Sequence, residues 1–235
     1  MSPIIGFSSG CIFKLDETIC NKNLERMLEV GCNAIELNLY DPEAVPRVCK
    51  LDKTLLESYT YISIHSPVKT RYVKNQETFD LLDTLRDLVK ENNVQTLLFH
   101  PDVIEDWSVF KGYKDLPLAI ENMDNQRTIY IHPHEFNKHI DEQGFGFVAD
   151  LQHMYTFNND MTKEKDFLKF HPVTKQVHFS GYHEIEKHVP IHQTLQKELM
   201  NSLKNWGEKP IIIESVVSNF SELKTEFDYI KSYLE

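Results

Sequence analysis

Short apolar runs alternate with amphipathic stretches along most of this chain. The apolar runs are five or six residues long and rich in β-branched or aromatic side chains, which is typical of buried strands. They predict eight strands, at residues 4–8, 34–39, 61–65, 96–100, 116–121, 145–150, 175–179 and 210–214. The amphipathic stretches predict helices at residues 16–30, 42–58, 76–92, 133–141, 153–170, 192–206 and 221–234.

This alternation predicts the fold class. Strands separated by helices pair in parallel, because the chain returns by a right-handed crossover between neighbouring strands. Eight strands in 235 residues leave short loops and no obvious linker, and barrels of eight strands and eight helices commonly have this size. We therefore predict an α/β fold, a single (β/α)₈ TIM barrel, with one domain spanning residues 1–235.

Six of the predicted strands carry a possible metal ligand on, or next to, their last residue. These side chains are His65, His100, Glu121, Asp150, His178 and Glu214. A single buried polar side chain is usually satisfied by hydrogen bonds within the core. Six of them at the same end of parallel strands would converge on the face of a barrel where catalytic groups collect. Convergent carboxylates need a cation to balance them, so the pattern predicts a metal site.

Composition narrows the class of protein. The chain is 41% hydrophobic and 26% charged, as in ordinary globular domains, and its formal net charge is −11. Overall attraction to nucleic acid is therefore not expected. The four cysteines form no CxxC pair and indicate reduced intracellular thiols. MSPIIGFSSG lacks the features of a signal peptide, and no apolar run approaches membrane-spanning length. We expect a cytoplasmic protein with no membrane partner.

Two local spacings add candidate ligands. Asp150 and His153 are three residues apart, so both side chains can reach one cavity where the sixth strand ends. Glu186 and His188 are two residues apart after the seventh strand, which places them on one side of an extended loop. A carboxylate and an imidazole presented together are suitable metal ligands.

Further residues are candidates for substrate contact. The loop SPVKTRYVKNQ after the third strand holds Lys69, Arg71 and Tyr72, a basic cluster around a tyrosine. Such a cluster could hold a phosphate and stack on a base or sugar, and a solvated loop is the alternative. Glu36, near the end of the second strand, is expected to face the same mouth and contact substrate, or else to cap a loop.

These motifs resemble those of the xylose-isomerase-like TIM-barrel superfamily, and within it most resemble the endonuclease IV branch. FHPD around His100, IENM at Glu121 and DLQH from Asp150 carry the resemblance, which extends from residue 65 to residue 214. In that branch three divalent ions, usually zinc, lie in the barrel mouth. The resemblance implies one ion on Glu121, Asp150, His178 and Glu214, a second on His65 and His100 with Glu121 bridging, and a third on His153, Glu186 and His188.

The sequence departs from that branch in three places. Glu186-Lys187-His188 stands where the branch has Asp-x-His, so a third ion would have a longer carboxylate ligand and bind less tightly. VPIHQ replaces the glycine-rich step that follows, and the acidic loop NLYDPEAVP replaces basic DNA-inserting residues after the second strand. The acidic loop argues against an efficient nuclease for abasic sites.

Three functions remain open. A hydrolase resembling endonuclease IV would use two or three ions to activate water and clamp a phosphoester. A sugar, or sugar-phosphate, isomerase or epimerase would use one ion, with Glu121 and Glu214 exchanging a proton with the substrate. The third is a metal-dependent sugar-binding protein without catalysis. We favour the hydrolase, because the histidines near strand ends exceed what a mononuclear isomerase needs.

The expected cofactors and partners follow from these functions. Divalent metal ions are expected, zinc first and manganese second, with no organic cofactor. The substrate is expected to be a small phosphorylated compound, a sugar or damaged DNA. The sequence leaves the oligomeric state open.

Overall fold

Eight parallel strands close into a barrel in the computed structural model, which describes residues 3–235. The strands follow chain order around the barrel, and β8 pairs with β1. They are β1 Ile5–Ser8, β2 Ala34–Asn38, β3 Tyr61–His65, β4 Thr96–Phe99, β5 Leu118–Glu121, β6 Gly146–Asp150, β7 Thr174–Phe179 and β8 Ile211–Ile213. The predicted (β/α)₈ TIM barrel is confirmed. Met1 and Ser2 lie outside the described residues; they belong to the segment that lacks the features of a signal peptide.

The helical layer around the barrel is more broken than the sequence predicts. The α-helices are α1 Asn21–Val30, α2 Val45–Val48, α3 Lys53–Leu56, α4 Gln76–Glu91, α5 His134–Asn137, α6 Leu151–Tyr155, α7 Glu164–Phe167, α8 Ile191–Thr194, α9 Lys197–Ser202 and α10 Ser221–Leu234. Short 3₁₀ helices occupy Ser9–Ile12, Pro42–Ala44, Pro101–Val103, Trp107–Gly112, Leu168–Val173 and Leu203–Trp206, and a π-helix occupies Lys138–Glu142. In residues 3–235 no helix is long and apolar enough to span a bilayer.

Local capping explains where the predicted helices break. The Asp52 side chain accepts the N–H of Thr54 at 2.8 Å and begins α3, which divides the predicted helix 42–58. Leu195 has a φ of 54° and ends α8, which divides the predicted helix 192–206. Helix α4 survives nearly whole, because Asn75 caps its first turn and an unbroken apolar face packs on the core.

The barrel interior changes from apolar to polar along the strands. Side chains alternate in β3, so Tyr61, Ser63 and His65 face the interior while the intervening isoleucines face the helices. Toward the amino-terminal ends the interior holds two small apolar clusters, one of Ala34, Tyr61 and Ile212 and one of Leu98, Ala119 and Val148. Toward the carboxyl ends it fills with carboxylates and imidazoles. The fold therefore delivers polar side chains to one face of the barrel.

Candidate metal centre

The carboxyl ends of the strands bring two groups of possible ligands together. Each group offers ligand atoms that all lie within 4.8 Å of one another. The first group, called here the four-ligand group, consists of Glu121, Asp150, His178 and Glu214. The second, called the three-ligand group, consists of His65, His100 and Glu121. Glu121 is common to both, so the groups are adjacent.

The two oxygens of Glu121 face different groups. Its Oε1 lies 2.9 Å from Nδ1 of His178, in the four-ligand group. Its Oε2 lies 3.1 Å from Nε2 of His100 and 3.8 Å from Nε2 of His65, in the three-ligand group. The side chain is buried and sits at the end of β5. A carboxylate directed this way has the geometry to bridge two metal ions.

The Nε2 atoms of His65 and His100 face each other at 3.1 Å. Nδ1 of His65 lies 3.1 Å from the carbonyl oxygen of Ser66. A carbonyl only accepts, so Nδ1 carries the proton and Nε2 turns a lone pair toward the three-ligand group. Burial, and then the neighbouring His100, lower the pKa of His65 to about 4, so the ring is neutral near pH 7. Neutral imidazole is the form that binds metal.

A carboxylate contacts the nitrogen of His178 that faces away from the four-ligand group. Its Nε2 donates to Oε2 of Glu36 at 3.0 Å, while its Nδ1 points toward Glu121 and lies 3.3 Å from Oε1 of Glu214. A carboxylate on one ring nitrogen fixes the tautomer and directs the other nitrogen to an ion. Glu36 is fully buried and does not line the mouth. β2 turns this side chain inward behind His178, so the structure does not bring Glu36, predicted to contact substrate, into the cavity lining.

Burial and crowding perturb the titrating groups of the four-ligand group. Burial raises the pKa of Asp150 to about 7. It also raises the pKa of Glu214, and the nearby carboxylates of Glu121 and Asp150 add to that shift. Burial lowers the pKa of His178, but Glu214, Glu36 and Glu121 outweigh it and hold this pKa well above its usual value. These buried carboxylates therefore have too little positive charge near them, and divalent ions would supply it.

Two buried carboxylate oxygens test whether metal ions fit. Oδ2 of Asp150 is buried and has no hydrogen-bond partner among the described residues, and Oε2 of Glu121 makes no well-aligned hydrogen bond although Nε2 of His100 lies 3.1 Å away. Buried polar atoms of this kind are costly unless something binds them. The donor set of imidazoles and carboxylates suits zinc or manganese. Together with Glu36 and Glu214, these side chains carry four negative charges when ionised, which two divalent cations would balance. The residues present fit a two-ion centre.

The third expected ligand set is not assembled. Nδ1 of His153 lies 2.8 Å from the carbonyl oxygen of Asn122, and the His153 and His188 rings are 6.0 Å apart. The Glu186 side chain is 68% exposed and its Oε1 lies 3.7 Å from Nζ of Lys14. Residues 184–188 form a bend and not an extended strand, so the two-residue spacing does not put Glu186 beside His188. Among residues 3–235 no group of three ligands includes Glu186.

The basic loop after β3 does not face the centre. Tyr72 is fully buried, with its hydroxyl donating to the carbonyl oxygen of Pro67 at 3.1 Å and its ring packed edge-on against Phe99. The aromatic ring belongs to the core, so the structure does not bring Tyr72, predicted to contact substrate, into the cavity lining. Lys69 and Arg71 are exposed and pair with acidic neighbours. All three stay outside the lining of the cavity at the mouth.

A cavity of about 620 Å³ adjoins the ligands. Glu121, Glu214 and the four histidines 65, 100, 153 and 188 line its inner end. Phe13, Tyr40 and Arg47 line the part formed by the loops after β1 and β2. The sequence interpretation missed these three residues. Two of them could have been predicted. Each is a large aromatic side chain shortly after one of the first two strands, where no buried helix face requires such a residue.

The comparisons with known proteins concern the fold. The sequence matches no protein-family model and no curated protein. A D-tagatose 3-epimerase-like protein matches with a TM-score of 0.69 and 16% identity, covering 98% of this chain and 96% of that one. D-allulose 3-epimerase from Methylomonas sp. matches with a TM-score of 0.67 and 16% identity, covering 99% and 100%.

AP endonuclease, family 2, from Brucella melitensis also matches, with a TM-score of 0.65 and 11% identity, covering 98% of this chain and 99% of that one. Both branches named from the sequence thus appear among the solved structures, which confirms the resemblance at the level of the fold. At these identities the likeness extends no further than the fold. The chain has the (β/α)₈ barrel fold that these solved structures share.

Proposed function

We propose that the protein is a metal-dependent hydrolase of phosphoesters that works with two divalent ions. The observation that carries the proposal is the position of Glu121, whose two oxygens each face a different ligand group. A mononuclear enzyme needs only the four-ligand group. The adjoining pair of imidazoles, His65 and His100, is accounted for when a second ion binds beside the first.

The chemistry follows from this arrangement. When bound, a pair of divalent ions supplies a nucleophilic water near neutral pH and balances the charge of the phosphoester. The water oxygen bonds to phosphorus, the bond from phosphorus to the leaving oxygen breaks, and a proton from the water ends on the released alcohol. Glu214 lines the cavity and would hold this proton in transit. Glu121 would keep the two ions at a fixed separation.

A sugar isomerase or epimerase is the second candidate. The four-ligand group is complete without His65 and His100, and two of its carboxylates lie within 3.3 Å of Nδ1 of His178. Two of the solved structures with this fold are named as a 3-epimerase or 3-epimerase-like. In this mechanism one ion would polarise a carbonyl, and Glu121 and Glu214 would exchange a proton with the carbon between them.

His65→Ala discriminates between the two. In the hydrolase it removes a ligand of the second ion, so we expect metal content to fall from two ions to one and phosphoester turnover to fall by about 100-fold or more. In the epimerase it should chiefly raise KM and leave metal content at one. His134→Ala, at an exposed histidine outside the cavity, is the matched control. Epimerisation of ketoses by the wild type without phosphoester cleavage would show that the second candidate is correct.

A further inference from the structure

A hairpin loop covers one half of the barrel mouth. Residues 181–189, called here the β7 hairpin loop, are closed by paired backbone hydrogen bonds between Gly181 and Val189, of 2.8 and 3.1 Å. Lys187 forms an ion pair with Asp124 after β5. At the other side, Glu186 pairs with Lys14 after β1. Because β1 and β5 lie opposite each other in an eight-stranded barrel, the loop spans the half of the mouth between them.

The open half is formed by the loops after β1, β2 and β3. The cavity runs from the ligands to this side, where Phe13, Tyr40 and Val68 line it. Its volume of about 620 Å³ lies within the range typical of pockets for small ligands. A substrate would therefore enter over β1–β3 and occupy a confined space, with the β7 hairpin loop on the opposite side.

The rim of this opening offers little positive charge. Four of its basic side chains have a carboxylate oxygen within 4 Å, in the pairs Lys14–Glu186 (3.7 Å), Arg47–Glu17 (3.3 Å), Lys69–Asp41 (3.0 Å) and Arg71–Glu105 (3.9 Å), whereas the exposed Lys74 has no such partner among the described residues. Among the described residues only one lysine or arginine, Arg47, lines the cavity. Binding to a DNA duplex depends on basic side chains that neutralise backbone phosphates. Here four of these side chains have a carboxylate neighbour, which leaves less positive charge for a duplex.

Two aromatic side chains, Phe13 and Tyr40, line the outer part of the cavity beside the charged residues Asp41, Glu43 and Arg47. Phe13 and Tyr40 are 59% and 58% exposed, although large apolar side chains are normally buried. Both line the cavity, and a lysine ammonium lies near each ring, Lys69 at 4.8 Å from the centroid of Tyr40 and Lys14 at 5.9 Å from that of Phe13, so part of each exposed ring is left for a ligand. Aromatic rings pack favourably on other flat groups by offset stacking or edge contacts. These two rings suit an organic group that is flat and uncharged.

Resting on the proposed hydrolase, we infer that the substrate is a compact phosphoester with a flat apolar organic group, which packs against Phe13 and Tyr40, and not a DNA duplex. Water adds to its phosphorus as the bond from phosphorus to one ester oxygen breaks and that oxygen takes a proton. The flat group ends either on the released alcohol or on the phosphate product. The pairing of four rim cations with carboxylates, together with the position of the β7 hairpin loop, disfavours a long polyanion at the same site.

The test uses the metal-loaded full chain with two substrates, bis(4-nitrophenyl) phosphate and a duplex oligonucleotide with one abasic site. We expect hydrolysis of the aryl diester, with a rate that changes less than about twofold between roughly 50 and 200 mM salt, because few phosphate contacts are broken. Tyr40→Ala and Phe13→Ala should each raise KM by about 5- to 10-fold, as the loss of an aromatic contact would, with a smaller fall in kcat. Ile129→Ala, at an exposed apolar side chain outside the cavity, is the control and should change neither.

The outcomes separate the inference from the proposed function. Cleavage of the abasic duplex with a kcat/KM equal to that of the aryl diester, and with a steep salt dependence, would overturn the inference while leaving a phosphoester hydrolase. An unchanged KM in both aromatic variants would also overturn it. Hydrolysis of neither substrate by a protein shown to hold its metal would instead refute the proposed hydrolase, and the inference with it.

Discussion

Glu36 controls the orientation of His178, and Glu36→Gln tests that role. The carboxylate is fully buried, and its Oε2 accepts hydrogen bonds from Nε2 of His178 at 3.0 Å, from Oγ of Ser63 at 3.1 Å and from Nε2 of Gln176 at 2.6 Å. Glutamine keeps the size of the side chain but removes its charge and half of its acceptor capacity. His178 then loses the anion that holds its Nε2 proton and directs Nδ1 toward the four-ligand group.

The expected loss of metal affinity follows from the position of Glu36, which contacts a metal ligand from behind. Loss of such an outer carboxylate typically weakens metal binding by about 10- to 100-fold, which corresponds to about 1.4–2.8 kcal/mol. The variant also lowers the negative charge of the buried centre by one, so two divalent cations are no longer balanced. We expect the weakened ion to be the one on the four-ligand group, because His178 does not belong to the three-ligand group.

The assay is competition for Zn²⁺ or Mn²⁺ between the protein and a chromophoric chelator, with bound metal counted at saturation. Ser63→Ala is the matched control, because it removes another donor to the same oxygen without contacting His178. It should change affinity by less than about threefold. Melting curves of the metal-free variants establish that both fold. Affinity within twofold of wild type, in a Glu36→Gln protein that melts normally, would refute the reasoning.

Three further predictions concern stability. Chelator should lower the melting temperature of the metal-loaded protein by about 5–10 °C, since metal at 100 times Kd contributes about 2.7 kcal/mol, and an unchanged curve after proven metal loss would contradict this. In the metal-free protein the raised pKa values of Asp150, Glu214 and His178 mean that the folded state binds more protons than the unfolded chain. Its calorimetric melting temperature should therefore fall as pH rises from about 6.5 to 8.5, and saturating metal should abolish the fall. Tyr72→Phe should cost about 1–3 kcal/mol in denaturant unfolding, by leaving the Pro67 carbonyl unpaired, and a changed KM would contradict the buried position.

Several features of the site could be predicted from the sequence because they depend on local periodicity. Parallel strands of five or six residues place their last inward-facing side chains at one end of a barrel, whatever the loops do. That rule is enough to bring together the ligands at the ends of β3 to β8, and the strand boundaries differ from the prediction by at most two residues.

Tertiary structure decided the features that depend on segments far apart in the chain. Tyr72 became part of the core because Phe99 and Phe110 lie beside it, and nothing in its own loop requires this. Glu186 turned to solvent because Lys187 pairs with Asp124 across the mouth. Such contacts join residues that are 27 to 63 positions apart, and no local pattern encodes them.

The sequence by itself determined the barrel, the end of the barrel that carries the polar side chains, and the residue types that converge there. Tertiary structure alone decided that Glu36 lies behind His178, that Glu121 directs its two oxygens to two ligand groups, and that Phe13 and Tyr40 line the same cavity. The physical reason is that the alternation of side chains along a strand determines which face of the sheet each side chain occupies. The partner that it meets on that face is set by the curvature of the closed sheet and the paths of the loops.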